Sequence, residues 1–396
     1  MTGVQTCALP IFLSRKVVVW VGLISYPLYL WHWPLLSFAR IVESETPSRN
    51  IRIAAVAISF VLAALTYYLI EKRVRYGRST WRKVAVLSVL AVSVGYVGYN
   101  TFARDGLAFR VKDYAQISQG IGDWSYPKGL DSKAFGHINV YLNSASNPEI
   151  FLFGDSHIEQ YGPRVVELTK RGNTKSAAFM TSGGCPPVPF VYEDQHNNCL
   201  GLVDKFWQFL EKTPSITTVV ISGCFNCYFI NQSEPPTHPS DTYRYYFKRN
   251  SIVEHFRGGN GRDLAIQEFV NFANQIIAKG YVLYIVMDNP LDERFDPTNA
   301  VRSETGGRPV FLTAGKGNYS SLFSRNSKQV ILEENLKTRL SNTGAVIIDS
   351  ANIICPENIC SPLDKSGRPI YKDSNHMRPF FVIESMNILD EVLANQ

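Results

Sequence analysis

Three long runs without a formal charge, all within the first part of the chain, restrict what this sequence can fold into. Val17–Ala39 holds 23 residues with no Asp, Glu, Lys or Arg, and Ile53–Ile70 and Val84–Ala103 repeat the pattern. Each is close to the ~20 residues a helix needs to cross a bilayer, so three transmembrane helices are expected over 17–39, 53–70 and 84–103. Between the second and third runs lie Lys72, Arg73, Arg75, Arg78, Arg82 and Lys83. Membrane proteins keep such clusters on the cytoplasmic side, which places the loop from Glu71 to Lys83 there and everything after Arg104 on the far side. The cluster also supplies much of the net charge of +6. That charge is therefore read as topology, and a membrane, not a nucleic acid, is the expected partner.

From Arg104 to Asn147 the chain is polar and irregular, which suggests a linker and docking segment over 104–147. A regular alternation follows. Short apolar β-rich runs fall at Ile150–Phe153, Ala177–Met180, Thr217–Ile221, Val282–Met287 and Ala345–Ile348. Helical patterns occupy Glu159–Lys170, Leu202–Glu211, Leu264–Ala278 and Gln329–Leu340, with a closing helix over Pro379–Ala394. Near-continuous apolar strands alternating with helices predict an α/β domain over 148–396, a three-layer α/β/α arrangement around a parallel sheet. Ligands in such sheets bind at the carboxyl ends of the strands. Two insertions, Cys224–Arg262 and Asn289–Asn326, break the rhythm. Tyr243, Tyr245, Tyr246 and Phe247 in the first offer either a sugar-stacking wall or a local core.

One strand end carries chemistry. Gly154-Asp155-Ser156-His157 directly follows Ile150–Phe153 and leads into a helix. A serine on that turn holds its hydroxyl rigidly at the strand's end, with the first helical N–H groups available to an oxyanion. The same four residues also suit a plain helix cap by Asp155 or Ser156. Far downstream, Asp373-Ser374-Asn375-His376 supplies the two groups a serine nucleophile needs: a base, His376, and a carboxylate to orient it, Asp373. His157 is read as lining the pocket, and His196 and His255 as surface residues.

Of seven cysteines, Cys7 stands apart and six fall into local pairs: Cys185 with Cys199, Cys224 with Cys227, and Cys355 with Cys360. Local pairs in polar loops suit disulfides of an oxidising compartment, which agrees with the charge-based orientation. A zinc or redox role for Cys224 and Cys227 is the rival reading, but no second ligand pair at zinc spacing accompanies them, so no metal is expected.

These motifs carry three resemblances. Residues 1–11, Met1 to Ile11, resemble the conceptual translation of a sequencing-library adapter, an artefact that would make the chain a C-terminal part of a longer protein. Ser25-Tyr26-Pro27-Leu28-Tyr29-Leu30-Trp31-His32-Trp33-Pro34 and the segment from Ala54 to Arg75 resemble late helices of the membrane acyltransferase family 3. The family's usual Pro in the basic exit is Arg73 here, and its N-terminal helices, which bear its membrane catalytic His and Arg residues, have no counterpart, so His32 receives no catalytic role. The Gly154-Asp155-Ser156 and Asp373-to-His376 stretches resemble the first and last blocks of the SGNH hydrolase family. Gly183-Gly184-Cys185-Pro186-Pro187 is similar to its glycine block, which implies that a backbone N–H of Gly183 or Gly184 faces the oxyanion, a plain tight turn being the alternative. Ser222-Gly223-Cys224-Phe225-Asn226 stands where its asparagine block belongs, with altered spacing, which implies Asn226 as a further oxyanion donor. Cys355 to Cys360, followed by Tyr371-Lys372-Asp373, resembles the SGNH domain fused to family 3 acyltransferases, although Met377-Arg378 departs from that family's usual continuation. The resemblance spans most of residues 13 to 378. It implies an O-acyltransferase, usually of acetyl groups, in a bacterial inner membrane, with its C-terminal domain outside the cytoplasm. Ser156, His376 and Asp373 would act on a surface polysaccharide or glycolipid, with no bound cofactor and acetyl-CoA as the ultimate donor. An esterase using the same residues, or a non-catalytic carbohydrate-binding module, are the alternatives.

Overall fold

The computed structural model describes residues 14–43, 47–76, 80–104, 119–136, 138–172, 174–193, 199, 201–230, 245–257, 259–300, 304–305, 308–309 and 322–395. His196, Tyr243 and residues 1–11 lie outside these. The chain divides into two units, one dominated by the N-terminal helices and one holding the α/β domain.

In the first unit all three uncharged runs are helical: Lys16–Glu43, Arg49–Thr66 continuing through one wide turn at Tyr67–Glu71, and Thr80–Ala103. The first two pack together through Ile24, Ala63 and Tyr67. Two indoles reach across: Trp20 Nε1 donates to the Tyr68 hydroxyl at 3.2 Å and Trp31 Nε1 to Thr66 Oγ1 at 2.9 Å. Only two helices, Arg49–Arg75 and Trp81–Ala103, are long and apolar enough to cross a membrane among the described residues. The expectation of three is corrected to that extent, because Tyr, Trp, His and two prolines dilute the apolar run of Lys16–Glu43. His32 Nδ1 lies 2.9 Å from Tyr29 O and 3.1 Å from Leu28 O, so its own helix satisfies it.

In the second unit a seven-stranded sheet comprises β1 (Asp131–Phe135), β2 (Ile138–Leu142), β3 (Ile150–Gly154), β4 (Ala177–Thr181), β5 (Thr218–Ser222), β6 (Val282–Val286) and β7 (Val346–Ile348). Their spatial order is β1-β2-β4-β3-β5-β6-β7. The five from β4 to β7 are parallel, and β2 and β1 extend one edge antiparallel. The β1–β2 hairpin falls in the stretch expected to be linker, so the domain begins earlier than 148. Its strands are largely exposed or half-buried, and lack the apolar continuity that marks the central ones.

β3 is the axis of the domain. All five of its residues are buried, and they alternate between two cores as a pleated strand must. Phe151 and Phe153 pack with Phe206, Phe209, Phe269 and Phe272 of helices Leu202–Lys212 and Gly261–Ala278. Ile150 and Leu152 face Val165, Phe381 and Val382 of helices Gly162–Arg171 and Pro379–Ser385. Helices thus cover both faces, as expected of an α/β/α arrangement. Burying a Phe side chain contributes roughly 1.5–3 kcal/mol, so β3 is held from both sides by a large apolar term. Two expected helices are each broken in two. The first splits at Gln160-Tyr161 and restarts with Pro163 in its first turn, and the closing one ends at Ser385 before a short turn at Asp390–Leu393.

Candidate active site

The turn after β3 cannot tolerate a side chain at its last strand residue. A Cβ on Gly154 would lie 1.8 Å from the Ser222 carbonyl oxygen on neighbouring β5. Asp155 follows, almost fully buried, and ties the turn down. Its Oδ1 accepts from His157 N at 2.7 Å, and its Oδ2 accepts from Cys224 N at 2.8 Å and from the Tyr228 hydroxyl. Asp155 is therefore the helix cap, which leaves the Ser156 side chain unencumbered. The two readings of this stretch describe adjacent residues.

Ser156 Oγ lies 2.8 Å from His376 Nε2, although 220 residues separate them. On the other side of the ring, His376 Nδ1 is 2.9 Å and 3.1 Å from the two oxygens of Asp373. Asp373 Oδ1 also accepts the backbone N–H groups of Asn375 at 3.0 Å and His376 at 2.7 Å. Burial opposes ionisation of Asp373, but the hydrogen bond and charge of His376 and these two N–H donors outweigh it together, lowering its pKa to about 2. An acceptor-only carboxylate held this way sets Nδ1 as the protonated nitrogen and Nε2 as the one free to accept a proton.

Gly183 and Gly184 sit in the turn after β4. Ser182 N donates to Gly154 O at 3.1 Å, so this turn is fastened to the strand end that carries Ser156. Gly184 has φ +74°, and a Cβ on either glycine would meet nothing within 4 Å, which leaves open space beside their backbone.

Residues 128–383, well over half of the chain, match the family of SGNH domains fused to AT3 domains. The chain belongs to that family. Folds of this SGNH type are usually catalytic, in acyl transfer or ester hydrolysis. No curated protein matches the chain. Among solved structures, the periplasmic domain of a lipopolysaccharide acetyltransferase of Salmonella ser. Paratyphi A is similar at 13% identity and TM-score 0.40, covering 75% of this chain and 95% of that one. A candidate acylhydrolase of Bacteroides fragilis follows at 14% identity and TM-score 0.32, covering 63% and 88%. A GDSL-like lipase of Bacteroides thetaiotaomicron shows 10% identity and TM-score 0.30, covering 61% and 86%. At such identities and overlaps these likenesses weigh for no one activity.

Asn226 is placed differently from expectation. Asn226 is buried, its N–H donates to Asp288 Oδ2 at 2.9 Å, and its side-chain amide donates to Glu333 Oε1 at 3.1 Å. Glu333 is paired in turn with Arg325. Asn226 belongs to a buried polar cluster and is withdrawn as an oxyanion donor, because its amide is already aimed at a carboxylate.

His157 lies behind the site. It is 1% exposed, its ring centre is 5.2 Å from that of His376, and its Nδ1 stands 2.8 Å from Asp288 Oδ1. That distance is an ion pair's, though the atoms are not aligned as a hydrogen bond, and among the described residues no partner meets Nε2. Burial disfavours the charged ring, yet the neighbouring Asp288 carboxylate wins and pushes the pKa of His157 up to about 9. His157 stands with Cys224 and Cys227, their donor atoms within 4.8 Å of one another. The two sulfurs are joined in a disulfide, as are those of Cys185–Cys199 and Cys355–Cys360, so no thiolate pair offers itself to a metal.

Burial decides the remaining expectations. His255 lies in a strand, Ile252–His255, and is half-buried, not on the surface. Tyr245 and Phe247 belong to the core of the SGNH domain, with Tyr246 stacked on Tyr192, so the described aromatics of this insertion form a local core and not an open wall. One neighbour of the site went unseen in the sequence. Trp124 meets the His376 ring edge-on at 5.4 Å, and the adjacent Asp123 pairs with Arg378 at 2.9 Å. Both lie in the stretch expected to be linker, and the pairing ties that stretch to the residue two positions after His376.

Proposed function

We propose that this protein is an O-acyltransferase, acetyl being the favoured group, that modifies hydroxyls of a cell-surface polysaccharide through an acyl ester on Ser156. The observation that carries the reading is the Ser156–His376–Asp373 hydrogen-bond chain at the carboxyl end of the central strand. His376 Nε2 takes the Ser156 hydroxyl proton as Oγ bonds to the acyl carbon. The carbonyl oxygen becomes an oxyanion, for which the backbone N–H groups of Ser156 and the Gly183-Gly184 turn are the proposed donors. As the bond to the leaving oxygen breaks, His376 returns the proton to it. A sugar hydroxyl then attacks the ester, giving its proton to His376, and the collapse restores Ser156 with that proton.

Fusion to AT3 domains in the matching family and the two apolar helices support a membrane-bound protein with this domain on the extracytoplasmic face. The three disulfides suit that compartment. Acetyl-CoA is the proposed ultimate donor, its acyl group delivered through the membrane part. Hydrolysis shares every step up to the acyl-enzyme, so the acceptor decides between transferase and esterase. Purified full-length chain in detergent, given a labelled aryl acetate and an acceptor glycan, should acetylate Ser156 and then the glycan, and Ser156→Ala should do neither. Label released only as free acetate would remove the transferase reading in favour of the esterase. Acetylation of the glycan by Ser156→Ala would end both.

A further inference from the structure

The bond between Ser156 and His376 joins two elements far apart in sequence, and something must hold their separation before any substrate arrives. A closed set of buried amide hydrogen bonds runs beneath it. Gln160 sits one turn after Ser156, and Asn289 follows β6; they are 3% and 1% exposed. Gln160 Nε2 donates to Asn289 Oδ1 at 2.8 Å and to His157 O at 3.1 Å, while its Oε1 accepts from Met377 N at 3.0 Å. Asn289 Nδ2 donates to Asn375 O at 2.8 Å and to the Tyr371 hydroxyl at 2.9 Å, which itself donates to Pro290 O at 2.8 Å. The main chain fixes the polarity of both amides. Met377 N–H can only donate, so it faces Oε1 of Gln160; Asn375 C=O can only accept, so it faces Nδ2 of Asn289. Asn375 and Met377 flank His376.

We propose that Gln160 and Asn289 are positioning residues, a buried amide clamp that sets the distance from Ser156 to His376. The inference rests on the reading of Ser156 as nucleophile and His376 as its base. Neither amide touches the reacting atoms. They grip the backbone on both sides of the base and tie it to the turn after the nucleophile. Removing one leaves buried partners unsatisfied, and the loop can relieve this only by moving. A misplacement of about 1 Å at such a site costs roughly 100-fold in rate.

The test uses the full-length chain in detergent with a fluorophosphonate, which forms an Oγ–P bond at Ser156 as fluoride leaves. Asn289→Ala and Gln160→Ala should each lower the limiting rate of labelling by roughly 30- to 100-fold. The half-saturating probe concentration should change by less than about twofold, and the double variant should be no slower than the worse single one, since both act through one device. Gln160→Ala leaves Asn289 its Tyr371 and Asn375 contacts, so it serves where Asn289→Ala does not fold. Hydrogen exchange gives a second measure: amides of residues 374–377 should exchange at least about tenfold faster while those of β3 and β5 are unchanged. Wild-type labelling rates in both single variants, or independent effects that multiply in the double, would overturn the clamp. If Ser156→Ala labels as fast as the parent, it is the nucleophile reading that fails. The clamp is then judged by exchange alone, upheld by faster exchange at 374–377 and overturned by none.

Discussion

Two His–Asp pairs stand side by side in this domain with opposite surroundings. His376 and Asp373 have side chains 20% and 37% exposed and share the serine; His157 and Asp288 are 2% and 0% exposed. The pairs have the same chemistry, but only the outer one is open to solvent and meets a hydroxyl. In the outer pair the carboxylate is held ionised by His376 and two directed N–H donors, and His376 Nε2 meets the Ser156 hydroxyl. The inner pair is shut in the interior. There, burial raises the pKa of Asp288, and Asp288 in turn keeps a proton on His157 to about pH 9. A histidine next to a carboxylate is therefore not in itself a catalytic sign; contact with the Ser156 hydroxyl separates the two.

Substitutions can break this comparison at graded strength. His376→Ala removes the base and should lower acyl-enzyme formation on Ser156 by about 10⁴-fold or more, as loss of a base does in serine enzymes generally. A loss below about tenfold would move the base elsewhere, with His157 the first candidate. Asp373→Asn keeps the shape but loses the charge that orients Nδ1–H, and should cost about 10²- to 10⁴-fold in the same labelling assay. A substantial rate surviving in Asp373→Asn would show that a neutral Oδ1 and the Trp124 contact suffice to hold the ring.

The smallest effect on rate belongs to His157→Gln, expected to be within about tenfold, but it should change how stability depends on pH. The sign follows from a folded pKa of about 9, above the ordinary histidine value of 6.5. The folded state binds the proton more tightly, so the contribution is complete below pH 6.5 and fades as pH rises to about 9. The melting temperature of the parent should fall over that window, and the fall should be shallower in His157→Gln. Asp373 acts in the opposite sense. Its contribution is present above pH 3.8 and is lost as pH falls toward about 2. Parallel alkaline slopes in parent and His157→Gln would show that the inner pair is not charged.

Legibility in the sequence followed chemistry and contrast. Gly154-Asp155-Ser156 and Asp373 to His376 were readable because each is a short local pattern whose parts serve one another. The central strands were readable because burial on both faces leaves unbroken apolar runs such as Ile150–Phe153. The β1–β2 hairpin was not, since an exposed edge strand such as Asp131–Phe135 carries no such run. Asn226 was misread because its place after β5 is right while its amide is drawn to Glu333, a residue 107 positions away. Gln160 and Asn289 gave no signal at all, because ordinary amides acquire meaning only from the groups they meet.

The sequence by itself determined the alternation of strands and helices, the apolar N-terminal runs, the cysteine partners and the two short motifs that hold Ser156 and His376. These depend on covalent order and on patterns spanning a few turns of chain. Tertiary structure alone decided which histidine meets Ser156, which carboxylate is sealed inside with His157, and which amides hold the loop around His376. Those outcomes depend on distances of about 3 Å between residues 82 to 220 positions apart, and only the packed sheet sets such distances.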